Sequence, residues 1–249
     1  MKIGNIEVFR YMVQQNDTLE MIAFKFNTSL DTITAVNRGT DLSNLYIGQE
    51  IFVGIGYSDL PTNATSSDGS RVARLQLMKK LRTLWVQHVM WTRFTILSIV
   101  EKLPDVEYVT NRLLRNPADF AELLVNLYGR QKADTFKKLF TDHLTIAAQL
   151  VKAAAQGDTQ TAESAEREWY RNAGRIAEFF AAINPYWSKK QWVDMLNEHL
   201  KLTKTEAVEL ISRQYEKSIR TFDEIEKQAL VMADMMYEGI SKQFELSRH

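Results

Sequence analysis

The sequence predicts an α-rich protein in two parts: a small βααβ domain at the N-terminus and a mostly antiparallel helical bundle after it. Two patterns support this prediction. Residues 11–53 change from alternating apolar residues to helical spacing and back again, which indicates the order strand, helix, helix, strand. From Arg71 onward, apolar residues recur at helical spacing over long stretches, and no strand pattern appears.

The two parts are separated by a stretch without apolar periodicity. Residues 54–70 read GIGYSDLPTNATSSDGS and are rich in Gly, Ser, Thr, Asn and Asp, as flexible linkers are. We therefore place a first domain at residues 1–57, a flexible linker at residues 58–70 and an all-helical domain at residues 71–249.

The elements of the first domain follow from local signals. A short strand is predicted to start at Tyr11, and the apolar spacing of Leu19–Phe26 predicts a helix after it. Ser29 is a candidate N-cap for a second helix that ends near Asn37. The alternation of Glu50–Val53 predicts the second strand.

This segment resembles a LysM domain. The resemblance rests on an opening Y-x-V, a D-T-L step, an I-A pair, a later I-x-x-x-N step and a closing I-G-Q-x-I-x-V. The matching residues are Tyr11, Val13, Asp17, Thr18, Leu19, Ile22, Ala23, Phe26, Ile33, Asn37, Ile47, Gly48, Gln49, Ile51 and Val53. The resemblance implies a βααβ fold that binds N-acetylglucosamine-containing glycans, either peptidoglycan or chitin-like oligomers. It covers only the first quarter of the chain.

In LysM domains the sugar lies between the loop after the first strand and the loop before the second. Leu19 and Ile47 would then contact the acetamide methyl group. The family usually has glycine where this chain has Asn16, and asparagine is the other residue that tolerates positive φ. The alternative is a LysM-like module that has lost glycan binding and serves in protein interaction or targeting. The implied glycan-binding residues are Asn16, Asp17, Thr18, Leu19, Asn44, Leu45, Tyr46, Ile47 and Gly48.

Composition limits the other function classes. The formal net charge is zero, which argues against nucleic-acid binding, and there is no cysteine for disulfide or thiol chemistry. No apolar run reaches the length of a membrane span, and the N-terminus lacks the apolar core of a signal peptide. We therefore expect synthesis in the cytoplasm and association with a spore coat–cortex interface or a cell wall. The alternatives are a phage protein and a cytoplasmic protein that reuses the fold.

The helical part is predicted to be a four-helix bundle made of two related hairpins with additional short helices. Two short echoes indicate an internal duplication: the Trp85–His88 spacing recurs at Trp169–Asn172, and the surroundings of His143 recur at His199. Ser188 and Gln191 form a capping box for a shorter helix. A second capping box at Thr203 predicts the start of the last long helix, which ends near Phe244.

Three histidines are the candidate site of the helical part. His88, His143 and His199 all fall in the middle of predicted helices, and facing helices of a bundle can build a metal site from such residues. The other interpretation places them in buried polar networks without a metal. No cofactor is therefore expected first, and a bound transition metal is the alternative.

No catalytic motif is recognisable, because the sequence has neither a Gly-rich phosphate loop nor a nucleophile elbow. Three functions follow in order. The first is a non-enzymatic peptidoglycan-binding protein whose helical domain contacts a protein partner or a second copy of the chain. The second is a metal-binding helical bundle that LysM targets to the wall. The third is a cell-wall hydrolase.

Overall fold

The computed structural model describes residues 2–3, 6–14, 17–19, 22–23, 26, 28–55 and 66–244. The chain divides into two compact units, Met1–Gly69 and Ser70–His249. Residues 66–70 of the predicted linker already belong to a helix, and residues 58–65 lie outside the described part.

The first unit contains an antiparallel sheet of three strands, β1 (Lys2–Ile3), β2 (Ile6–Met12) and β3 (Glu50–Ile55), in the order β1-β2-β3. Its register pairs Phe9 with Val53 and Tyr11 with Ile51. Strand β2 begins at Ile6, five residues before the predicted start, and β1 was not predicted. Strand β2 extends toward its N-terminus because Val8 is also buried, in a small cluster with Val36 and Phe52.

Helical segments connect β2 to β3, as the βααβ prediction requires. Leu19, Ile22 and Ala23 are helical, and helix α1 spans Leu30–Val36. Ser29 caps α1 as predicted, since its side chain accepts a hydrogen bond from the Thr32 amide at 3.0 Å. The core between helices and sheet is made of Val13, Ile22, Ala23, Ile33, Ile51 and Val53.

A buried asparagine joins α1 to the sheet. The Asn37 amide donates to the carbonyls of Ile33 and Phe52, both at 2.6 Å, and its oxygen accepts from the Phe52 amide at 2.7 Å. The side chain thus supplies both hydrogen bonds that a neighbouring strand would give to Phe52. This contact fixes β3, and with it the loop that precedes β3.

The second unit is entirely helical within the described residues, which confirms the predicted fold class. Its helices α2 to α8 are Ser66–Val100, Val106–Leu113, Asn116–Tyr128, Arg130–Gln156, Thr159–Ile183, Lys189–Ile211 and Tyr215–Gln243. Consecutive pairs α4/α5, α5/α6, α6/α7 and α7/α8 pack against each other. Ser188 caps α7 through a contact with the Gln191 amide, as predicted. Trp85, Phe120, Phe136, Phe180 and Trp192 are the largest side chains fully buried in this unit.

The last long helix begins twelve residues later than predicted. Thr203 lies inside α7, and the chain turns only at Arg213, which adopts a left-handed φ of 57°. The turn between α5 and α6 has Gly157 in the equivalent place, with a φ of 75°. No glycine or proline marks the second turn, so the sequence contains no conventional signal for it.

The hairpins α5/α6 and α7/α8 have the same turn at an offset of 56 residues. The amide of Asp158 donates to the carbonyl of Ala153 at 3.0 Å, and the amide of Gln214 donates to the carbonyl of Glu209 at 2.7 Å. Each pair closes a helix C-terminus in the same way. Two related hairpins therefore form much of this unit, in agreement with the predicted hairpin duplication.

Candidate functional site

The two predicted glycan-binding loops of the first unit are held together by backbone hydrogen bonds. The amide of Gly48 donates to the carbonyl of Val13 at 2.8 Å, and the amide of Val13 donates to the carbonyl of Gln49 at 2.9 Å. Gly48 has a φ of 85°, a conformation in which a side chain is strained. The chain after β2 and the turn before β3 are thus fixed relative to each other.

A buried glutamine supports the loop before β3. Gln49 is buried, its side-chain oxygen accepts from the Tyr46 amide at 3.1 Å, and its side-chain nitrogen donates to the Asp41 carbonyl at 3.0 Å. These two bonds span the whole loop and leave few backbone groups free to rearrange. Gln49 was part of the family pattern, but its supporting role was not predicted, because the pattern does not reveal which atoms it contacts.

Asp17 shapes the loop after β2. Its carboxylate accepts from the Tyr11 hydroxyl at 2.6 Å and from the Gln14 amide at 2.7 Å. The carbonyl of Thr18 then accepts from the amide of Ile22, which begins the following helical segment. Asp17 therefore organises the turn itself, while Thr18 is exposed beside it.

The loop before β3 presents two large side chains to solvent. Tyr46 is 67% exposed and Ile47 is 68% exposed, whereas Leu19 and Leu45 are partly buried against the core. Exposed apolar side chains beside a rigid turn are what contact with a sugar ring requires. Asn44 and Gly48 are exposed as well, and Asn16 lies outside the described residues.

A family model for the LysM domain matches residues 11–54. This match confirms the LysM segment predicted at residues 11–53, and it supports general binding of a peptidoglycan- or chitin-type glycan and association with a cell wall. No curated protein and no solved structure matches the chain. Within the described residues, no helix has both the length and the apolar character needed to cross a bilayer.

In the helical unit, the three predicted histidines come together at one internal cavity. His88, His143 and His199 all line it, together with aromatic and aliphatic side chains such as Phe140. The rings of His88 and His199 are 5.5 Å apart between centroids. The cavity volume is about 10 Å³, close to the room that one water molecule needs.

Both ring nitrogens of His143 already have hydrogen-bond partners. Nδ1 lies 2.8 Å from the Asn172 side-chain oxygen, and Nε2 accepts from the Trp169 indole at 3.1 Å. The Asn172 amide nitrogen donates to the Leu139 carbonyl at 3.1 Å, so its oxygen is the atom that faces the imidazole. This arrangement assigns the proton to Nδ1 and makes His143 a neutral imidazole.

His199 repeats this arrangement 56 residues later. Its Nδ1 lies 3.2 Å from the Gln228 side-chain oxygen, and the Gln228 amide nitrogen donates to the Met195 carbonyl at 3.1 Å. His143 and His199 are therefore equivalent, as the sequence indicated. The structural counterpart of Asn172 is Gln228 rather than His88, because both amides hold the histidine of their own hairpin.

His88 has a different environment. Its Nδ1 is buried and has no hydrogen-bond partner among the described residues. Over the same residues, no group of three or more His, Asp or Glu side chains is arranged to hold a metal ion. A metal at this cavity would require His143 to give up at least one of its two hydrogen bonds.

Burial makes all three histidines hard to protonate. It lowers the pKa of His143 to about 3, against an opposing effect of the Asn172 hydrogen bond, and it lowers the pKa of His199 to about 4. Burial also lowers the pKa of His88 well below its usual value, and the nearby His199 and His143 add to this effect. The site therefore consists of three neutral imidazoles at physiological pH.

We predict that acid destabilises the helical unit. Above about pH 6.5 the histidines are neutral in both the folded and unfolded states. As the pH falls from about 6.5 toward 4, only the unfolded chain takes up protons. The free energy of unfolding then falls by up to about 1.4 kcal/mol per pH unit for each histidine. Urea unfolding followed by tryptophan fluorescence measures this unit alone, because all five tryptophans lie between residues 85 and 192.

Glu206 acts in the opposite direction and provides a reason for a matched variant. Burial raises the pKa of its carboxyl to about 7, although the Arg93 guanidinium beside it lowers that pKa. Its contribution is present at low pH and is lost as the pH rises through about 7. His88→Phe removes one histidine while keeping a ring in the cavity, so the slope below pH 6.5 should become shallower. An unchanged slope in this variant would contradict the assignment.

Proposed function

We propose that the LysM domain binds N-acetylglucosamine-containing glycans of peptidoglycan and anchors the helical domain to a cell wall or a spore layer. In this proposal the chain is a binding protein rather than an enzyme. The helical domain serves as the part that meets a protein partner or a second copy of the chain. The glycan-binding residues are those predicted in the two loops, with Ile47 and Tyr46 as the main apolar contacts.

The observation that carries the proposal is the exposed Tyr46–Ile47 pair on a fixed turn. Burying such side chains in the free domain would be easy, since the core lies directly beneath the loop at Leu45. Instead the hydrogen bonds of Gln49 and Gly48 hold the turn so that both remain in solvent. A preformed apolar surface of this kind loses little conformational entropy when a sugar binds.

One LysM module offers a small contact surface, so we expect weak binding by each copy. Attachment of many copies to one polymer would raise the overall affinity without new contacts. This supports a role for the helical domain in self-association or in contact with a layer of other proteins. Exposed apolar side chains on its helices, such as Val208, Ile219 and Val231, are available for such contacts.

We predict that Ile47→Asp weakens binding to purified peptidoglycan about tenfold or more, because it removes an apolar contact and adds a charge. The measurement is a pull-down of the full chain over a range of peptidoglycan concentrations. Leu30→Ser is the matched control, since Leu30 is an exposed apolar residue at the start of α1 outside both loops. It should bind like the unchanged protein.

Two results would overturn the glycan-binding proposal. One is that the full chain does not sediment with peptidoglycan or with chitin. The other is that Ile47→Asp and Leu30→Ser weaken binding equally. Release of soluble sugars in the same assay would instead identify the third candidate, a cell-wall hydrolase.

The second candidate function is metal binding at His88, His143 and His199. The observation in its favour is that all three side chains line one cavity. The hydrogen bonds from Asn172 and Trp169 to His143 oppose it. Binding would therefore depend on rotation of His143 away from these partners.

Elemental analysis decides between the neutral-histidine and metal interpretations. If the histidines form a hydrogen-bonded network, the protein purified without chelator and supplied with iron, zinc and manganese should hold far less than one equivalent of metal. About one equivalent that disappears in a His88/His143/His199→Ala variant would establish the metal site. Far-UV circular dichroism of the variant shows whether it is still folded.

A further inference from the structure

A second cavity in the helical unit is much larger than the histidine cavity. Its volume is about 240 Å³, and its walls come mainly from helices α2, α5, α6 and α7. Protein interiors rarely contain voids larger than a water molecule. An apolar cavity of roughly 150 Å³ is already large enough to bind benzene. This cavity therefore has the size of a binding site for a small molecule.

The cavity has a buried end and an open end. Leu113, Leu144 and Trp169 are buried at one end, whereas Thr159, Glu163 and Val208 are exposed at the other. A ligand could therefore enter from solvent and bury most of its surface, as ligands of small-molecule sites do.

The lining is almost entirely apolar and offers few polar partners. The hydroxyls of Thr92 and Thr95 donate to the carbonyls of His88 and Trp91 in their own helix, at 2.8 and 2.9 Å. Thr203 differs, because it is only 4% exposed and its hydroxyl has no hydrogen-bond partner among the described residues. Rotation about χ1 exchanges its hydroxyl with its methyl group, so it can offer either to the cavity.

The charges at the open end disfavour an anionic ligand. Lys204 is paired with Glu166 at 2.6 Å, and Glu163 adds a second carboxylate to the lining. The mouth thus has two carboxylates and one ammonium group among its lining residues. A carboxylate on a ligand would meet more negative than positive charge there.

We propose that this cavity binds a compact, neutral and predominantly apolar small molecule with one hydroxyl or carbonyl group. The apolar body fills the space between α2, α5, α6 and α7, and Thr203 hydrogen-bonds the polar group. This gives the helical domain a ligand-binding activity that is independent of glycan binding by the LysM domain.

Three probes with one skeleton test the chemistry of the ligand: ethylbenzene, p-ethylphenol and p-ethylbenzoate. Calorimetric titration of the full chain should show saturable binding of the first two, with p-ethylphenol the tighter. The benzoate should bind about tenfold more weakly than the phenol, because its charge must enter an apolar site beside two carboxylates. Absence of saturable binding by both neutral probes would overturn the proposal, and so would tightest binding of the benzoate.

Cavity-filling variants on two helices test the location. Ala147→Leu and Ala207→Leu each place a larger side chain in the cavity wall, so both should abolish binding of the neutral probes while circular dichroism shows a folded protein. Ala155→Leu is the matched control, because Ala155 lies on the same helix as Ala147 but does not line the cavity. Retained binding in both filled variants would overturn the assignment.

Thr203→Val tests the polar contact, since it keeps the shape and removes the hydroxyl. Binding of p-ethylphenol should weaken about fivefold to tenfold, while binding of ethylbenzene should be unchanged. Thr205→Val is the control, because Thr205 is exposed and donates to the carbonyl of Lys201. Equal binding of the phenol by the Thr203→Val and unchanged proteins would overturn the role of Thr203.

Discussion

The hydrogen bonds between Val13 and the Gly48–Gln49 turn are the constraint on which the candidate glycan site depends. They join the end of the first long strand to the loop before the last strand, at 2.8 and 2.9 Å. Asn37 fixes the same strand from its other edge through Phe52. With both edges satisfied, the loop has little freedom, and Tyr46 and Ile47 stay exposed. The domain thus stabilises its own fold with buried polar side chains and leaves apolar ones for a ligand.

The helical domain uses buried polar groups in a related way. Each of two hairpins places one histidine against one amide, His143 against Asn172 and His199 against Gln228. Each amide is in turn held by a carbonyl one helical turn before the histidine, so the geometry is the same in both. Hydrogen-bonded groups of this kind specify one arrangement of helices, because any other packing would leave them without partners. The larger apolar cavity is a different feature, since it has space that the side chains do not fill.

Much of this structure could be predicted from the sequence, and the exceptions have physical reasons. Local patterns predicted the LysM elements, the Ser29 and Ser188 caps and the helical character of the rest. The equivalence of His143 and His199 was also visible, but Asn172 was matched with His88. Short spacing cannot show that two amides on different helices face two histidines in the same way. The turn at Arg213 was missed because a residue other than glycine adopts the left-handed conformation there.

The sites were predictable to different depths. The family pattern pointed to the two loops, yet it did not show that Gln49 supports the turn or that Leu19 and Leu45 are partly buried. The three histidines were expected to meet, and they do line one cavity. Their hydrogen-bond partners could not be foreseen, since Trp169 and Asn172 lie on another helix. The apolar cavity depends on packing between four helices, for which a single sequence has no direct signal.

Nuclear magnetic resonance titration of the full chain with an N-acetylglucosamine oligomer tests the central claim most directly. Glycan binding by the LysM domain predicts saturable shifts confined to the amides of the two loops, above all Thr18, Tyr46, Ile47 and Gly48, while the amides of the helical domain stay unchanged. Shifts that appear only in the helical domain, or no saturable shift at either loop, would contradict it.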